Sequence, residues 1–134
     1  MRKIVIATHE KMAFGTKCTL DFITNNSYSI YEISAYTDDT KIEDRIADLL
    51  ESFSDEDEVV ILTDMLSGSV NQAMIPYRSD HVFLITGFNL PLALEILLYP
   101  QSEKLSNEIL KHLIENSKSQ LQLVCDCSSS EEDE

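Results

Sequence analysis

Two residues and one short run could do chemistry together in this chain: His9, Asp64 and Ser67-Gly68-Ser69. His9 ends the run Ile4-Val5-Ile6-Ala7-Thr8, and Asp64 ends Val59-Val60-Ile61-Leu62-Thr63. Continuous apolar runs of this kind suit parallel strands covered on both faces. In an open α/β sheet the carboxyl ends of such strands are where ligands bind. If the two strands are neighbours, His9 and Asp64 meet. A carboxylate accepting from the imidazole Nδ1–H fixes the tautomer and leaves Nε2 as the nucleophile. It also stabilises the cation formed when Nε2 gains a substituent. Ser67-Gly68-Ser69 is a small-residue turn opening a helix, whose N–H groups and hydroxyls suit an anion. Together these residues describe a site for a phosphoryl group on histidine. Singly, each has a plainer reading, as a hydrogen-bonded strand-end residue, a helix cap or an ordinary turn.

The elements that must position them follow from periodicity. Strands are expected over Lys3–Thr8, Ser29–Tyr36, Glu58–Asp64, His81–Thr86 and Leu121–Cys127. Thr40-Lys41-Ile42-Glu43 reads as a capping box. Behind it Ile42, Ile46, Leu49, Leu50 and Phe53 make one apolar stripe. A helix is expected from Ser102 to Ser117 with Leu105, Ile109, Leu113 and Ile114 inward, another over Met12–Ile23, and short ones after Ser69 and Pro91. The alternation predicts a three-layer α/β/α fold with a mostly parallel open sheet in the order 2-1-3-4. The last strand is expected at an edge, antiparallel or contributed to a neighbouring subunit. One domain is expected over residues 1–127, with 128–134 as a disordered acidic tail.

Bulk composition narrows the function. The chain is 43% apolar and long enough for a real core. With 24 carboxylates against 10 Lys and Arg, its net charge is −14. That argues against nucleic-acid binding, which needs clustered cations, and favours basic partners. Three cysteines, Cys18, Cys125 and Cys127, form no disulfide framework and read as inert thiols. His81 lies at the opposite end of the sheet from His9, and His112 on the polar side of a helix. No signal peptide is evident, and no stretch approaches the ~20 apolar residues of a membrane span. A cytoplasmic protein is expected.

Three blocks carry a resemblance. IVIATHEKMAFGT, VVILTDMLSGSVNQAM and LITGFNLPLALEIL are similar, in order and spacing, to segments of the enzyme IIA domains of the mannose-type sugar phosphotransferase system. The likeness covers almost the whole chain apart from the acidic tail. It implies that His9 accepts a phosphoryl group from the phosphocarrier HPr and passes it to a IIB component. Through IIB it would serve a IIC/IID membrane permease, placing the chain peripheral to the membrane. The likeness also implies that Asp64 orients His9, that Ser69 helps hold the phosphoryl group, and that Gly87, Asn89 and Pro91 line the site. From their places in the sequence, Ser67 and Gly68 are expected to hold the phosphoryl group beside Ser69, and Thr8 and Glu10 to line the site beside His9. The resemblance also implies a homodimer with an exchanged C-terminal strand. No metal or cofactor is expected, because histidine is itself the acceptor.

The chain departs from that pattern at Glu10, where the family usually has glycine, at Ser67 for a turn glycine, and at Val70-Asn71 for a common Pro-Phe pair. A carboxylate beside an incoming phosphoryl group is repulsive unless it points away. The main rival reading is a regulatory domain of the same fold, such as part of a transcription activator, in which phosphorylated His9 is a signal. A flavodoxin-like domain would want a Ser/Thr-rich phosphate loop after the first strand, and a receiver-like domain paired acids there. A hydrolase using Ser67 or Ser69 would want a strained nucleophile elbow.

Overall fold

A computed structural model of the protein describes residues 1–125. Its sheet is built from β1 (Arg2–His9), β2 (Ile30–Ala35), β3 (Glu58–Thr63) and β4 (Val82–Thr86). All pairings are parallel and the order is β2-β1-β3-β4. Five α-helices are described: α1 (Met12–Ile23), α2 (Ile42–Glu51), α3 (Ser69–Met74), α4 (Leu90–Leu98) and α5 (Asn107–Lys118).

Alternation along β1 explains the layers. Ile4 and Ile6 pack on one face with Leu20 of α1, Leu92 and Ile96 of α4 and Leu110 of α5. Val5 and Ala7 pack on the other with Ile42 and Ile46 of α2 and Val70 and Met74 of α3. Successive strand side chains point to opposite faces, so a strand covered on both sides must be apolar throughout. Ile4, Val5, Ile6 and Ala7 are all fully buried. The isoleucine and valine side chains each contribute about 1.5–3 kcal/mol by leaving water. Because β1 feeds β2 on one side and lies against β3 on the other, strand order reverses between β1 and β3.

A polar knot ties the bottom of the sheet. The buried Arg2 guanidinium donates to Glu58 Oε1 (3.1 Å) and to the carbonyls of Tyr99 (2.7 Å), Pro100 (3.3 Å) and Glu103 (2.9 Å). Glu58 Oε2 in turn accepts from Leu105 N–H (2.6 Å). The connection between α4 and α5 is thereby fixed to β1 and β3.

Two expectations need correction, and a third concerns the last strand. The Thr40 capping box does not form: Asp38 Oδ1 takes the Thr40 N–H (2.9 Å) in a local turn, and Lys41 becomes the N-cap of α2 without a side-chain bond. Such Asp-centred turns compete with helix capping. The last helix starts after Ser106, whose hydroxyl accepts from Ile109 N–H (3.2 Å), and not at Ser102. No fifth strand forms within the chain over 121–125, where the backbone is irregular and exposed. Cys127 and the tail 128–134 lie outside the described residues. Among the described residues, no helix is long and apolar enough to cross a membrane.

Candidate functional site

The site stands where strand order reverses, on the carboxyl ends of β1 and β3. Asp64 follows the last residue of β3 and faces His9, the last residue of β1. Its Oδ2 accepts from the His9 backbone N–H (2.9 Å) and lies 2.8 Å from Nδ1, while Oδ1 accepts from Met65 N–H (3.0 Å). Burial by itself would raise the Asp64 carboxyl. The hydrogen bonds from the His9 N–H and imidazole, its main-chain environment and the His9 charge outweigh burial and hold it below the ordinary carboxylate range. An ionised carboxylate can only accept, so Nδ1 carries a proton, and in the neutral imidazole Nε2 then presents a lone pair. The His9 side chain is 32% exposed and that of Asp64 only 10%. The imidazole can therefore receive a group, while its partner is shielded from water.

Ser69, the first residue of α3, places its Oγ 3.4 Å from Nε2. Gly68 also packs against the ring: a Cβ there would stand 2.9 Å from His9 Cε1. The expected cradle is thus only partly donor chemistry. The Gly68 N–H is engaged with the Met65 carbonyl (3.2 Å), and Ser67 is exposed with no hydrogen bond to His9. What Gly68 supplies is room for the imidazole.

The expected lining residues divide. Thr8 is fully buried, and its hydroxyl accepts from Ala13 N–H (2.7 Å), so it fastens the start of α1 and does not line the site. Glu10 is exposed, with φ at +53°, a left-handed conformation that glycine adopts freely and other residues only at a cost. Its N–H is nonetheless bonded to the Ala35 carbonyl (2.8 Å), and this contact holds the strained turn. Gly87, with φ at +73°, donates its N–H to the Thr63 carbonyl (2.9 Å). Asn89 caps α4 by accepting from Leu92 N–H (2.9 Å), and its Nδ2 donates to the Ser117 carbonyl (3.0 Å). Pro91 stands in the first turn of α4. None of these three hydrogen-bonds to His9, Asp64 or Ser69. Together they brace the β4 turn beside the site.

Two residues at the site had no role assigned from the sequence. Tyr36, just past β2, places its hydroxyl 2.6 Å from Ser69 Oγ and its ring centroid 5.7 Å from that of His9. Its position at a strand's carboxyl end was the available signal. Asn71 accepts from the Thr63 hydroxyl (2.9 Å) and donates to the Leu66 carbonyl (3.1 Å), fastening the 65–68 loop to β3. Val70, the other departure from the Pro-Phe pattern, is fully buried in the core.

Comparison with known proteins now decides the family. A family model, EIIA-man, described as the PTS system fructose IIA component, matches residues 3–114. The chain belongs to that family. It is a phosphotransferase-system IIA component of the mannose/fructose type. No curated protein matches it in sequence. Among solved structures, this IIA component is similar to a candidate phosphoenolpyruvate-dependent sugar phosphotransferase system permease from Klebsiella pneumoniae, with TM-score 0.83 and 26% identity over 91% of this chain and 90% of that one. It shares its fold with the IIA protein associated with the fucose utilization operon of Streptococcus pneumoniae, with TM-score 0.75 and 23% identity over 91% and 92%. It also shares it with the mannose/sorbose-specific IIA subunit of Enterococcus faecalis, with TM-score 0.75 and 17% identity over 93% and 96%.

Proposed function

We propose that this IIA component carries a phosphoryl group on His9 Nε2, taken from phospho-HPr and handed to a IIB component for sugar uptake. The observation that carries the reading is the Asp64 Oδ2–His9 Nδ1 contact of 2.8 Å, with Nε2 on the open side beside Ser69. The Nε2 lone pair attacks phosphorus in line. As the N–P bond to His9 forms, the N–P bond of the donor phosphohistidine breaks and its electron pair returns to the donor nitrogen. No proton leaves Nε2, because the imidazole proton sits on Nδ1. Asp64 stabilises the resulting cation, and positioning with charge stabilisation does most of the work.

Exposed side chains support a macromolecular donor. Met12, Tyr36, Met65 and Leu66 follow the ends of β1, β2 and β3 and are all at least half exposed. Large apolar side chains of this kind are common at the centre of protein interfaces. The acidic chain suits a basic partner.

Homodimerisation belongs to the same proposal. β4 is an open edge, flanked by a groove of about 360 Å³ lined by Val82, Phe83, Leu84, Leu110 and Ile114. Leu121, Leu123 and Val124 are more than four-fifths exposed. An exchanged C-terminal segment laid along β4 would pair the edge and bury these side chains.

The test is incubation with phosphoenolpyruvate, enzyme I and HPr, followed by intact mass at neutral pH. An acid-labile gain of one phosphoryl group, lost in His9→Ala, is expected. No gain while HPr itself is phosphorylated would defeat the reading. Sedimentation of the full chain, and of a chain ending at Ser119, tests the dimer.

A further inference from the structure

We infer that Tyr36 is a positioning residue of the phosphoryl site, acting through Ser69. The inference deepens the reading of His9 as phosphoryl acceptor and rests on it.

Tyr36 has φ at +68°. For a bulky side chain this is a true outlier, and such strain persists only where its surroundings enforce it. Glu10, on the neighbouring strand end, is also left-handed. Both follow the last pair of the β1–β2 ladder, His9 opposite Ala35. The two strands thus turn sharply at the same level, and the turn at Tyr36 brings its ring towards His9 and its hydroxyl onto Ser69.

The direction of the hydrogen bonds follows from Asp64. With the imidazole proton on Nδ1, Nε2 can only accept, so the Ser69 hydroxyl gives its proton towards Nε2. Ser69 Oγ then has only lone pairs left for Tyr36, and the phenol must donate to it. The chain runs Tyr36 O–H to Ser69 O–H to His9 Nε2, across 2.6 Å and 3.4 Å. Consecutive hydrogen bonds polarise one another, so the phenol makes the Ser69 hydroxyl a stronger donor. It also holds that hydroxyl in one rotamer. When a phosphoryl group occupies Nε2, the Ser69 O–H turns from nitrogen to a phosphoryl oxygen, while Tyr36 keeps its own acceptor.

A double-mutant cycle tests this. Tyr36→Phe keeps the ring and removes the hydroxyl, and Ser69→Ala removes its target. Tyr36→Phe should slow phosphoryl acceptance from phospho-HPr roughly fivefold, as expected for one neutral hydrogen bond. It should have no further effect in the Ser69→Ala background. Rates that multiply independently, or a Tyr36→Phe protein as fast as wild type, would overturn the inference. A second readout needs no phosphorylation: the His9 imidazole ¹⁵N resonances of the resting protein. Tyr36→Phe and Ser69→Ala should both shift Nε2 in the same direction, and an unmoved Nε2 in Tyr36→Phe overturns the relay. If the wild-type protein accepts no phosphoryl group at all, the carrier reading fails, and the ¹⁵N comparison still decides the hydrogen-bond relay.

Discussion

Gly68 and His9 are in van der Waals register: a Cβ on residue 68 would lie 2.9 Å from the imidazole Cε1, inside any tolerable contact. Cε1 sits between the two ring nitrogens. The ring can escape such a contact only by loosening its bond to Asp64 or its approach to Ser69. Gly68→Ala should therefore slow phosphoryl acceptance by at least about tenfold, equivalent to ~1.4 kcal/mol, while the thermal midpoint changes little. Stopped-flow acceptance rates beside a melting curve check it. An unchanged rate would mean that the loop absorbs the methyl group.

Asp64→Asn removes the charge that steadies the cation on His9 and can reverse the tautomer, as the corresponding change does in catalytic triads. Acceptance should fall steeply, by up to the ~10⁴-fold that this change costs in such triads, and not vanish, because Ser69 remains. Quench-flow kinetics with phospho-HPr measures it, and a variant as fast as wild type would remove Asp64 from the mechanism.

The same carboxylate links stability to pH. Its folded value is depressed, so its stabilising effect is fully present above the unfolded value of about 3.9 and is lost as pH falls through the lower, folded value. Urea unfolding at pH 7 and pH 3 should show wild type losing more stability than Asp64→Asn over that interval. Equal losses would show that Asp64 gains nothing from His9 in the folded state.

Glu10 is held at a φ of +53°. Glycine would remove that strain but widen the unfolded ensemble, so Glu10→Gly should stabilise by no more than ~1 kcal/mol. It also removes a negative charge one residue from the acceptor, so acceptance should be faster, most clearly at low salt. Glu10→Gln separates the effects: it should share the gain in rate and not the gain in stability. If both variants match wild type in rate, the carboxylate plays no part in transfer.

Arg2→Met leaves three carbonyls and the Glu58 carboxylate without their guanidinium. Breaking a buried pair from one side costs about 3 kcal/mol or more. Chemical denaturation should show that loss, with phosphoryl acceptance per folded molecule unchanged, because the knot lies at the far end of the sheet. A loss below about 1 kcal/mol would mean that water replaces the guanidinium.

The local pattern of the chain was enough for the sheet and for the axis of the site. Ile4 to Ala7 and Val59 to Leu62 must be covered on both faces, and that requirement alone implies parallel strands with helices on either side. The rule that ligands gather at strand carboxyl ends then brought His9, Asp64 and Ser69 together. Tertiary contacts decided the rest. Tyr36 meets Ser69 across 33 residues and Arg2 meets Glu103 across 101, and contacts between residues so far apart leave no periodic trace in the chain. The left-handed turns at Glu10 and Tyr36 run against the preference of their residue types and are held by the β1–β2 ladder and the surrounding packing. Thr8, Gly68 and Asn89 are of types that suit a site equally well as a cap, a spacer or a brace. Only the neighbours each side chain meets decided which it became.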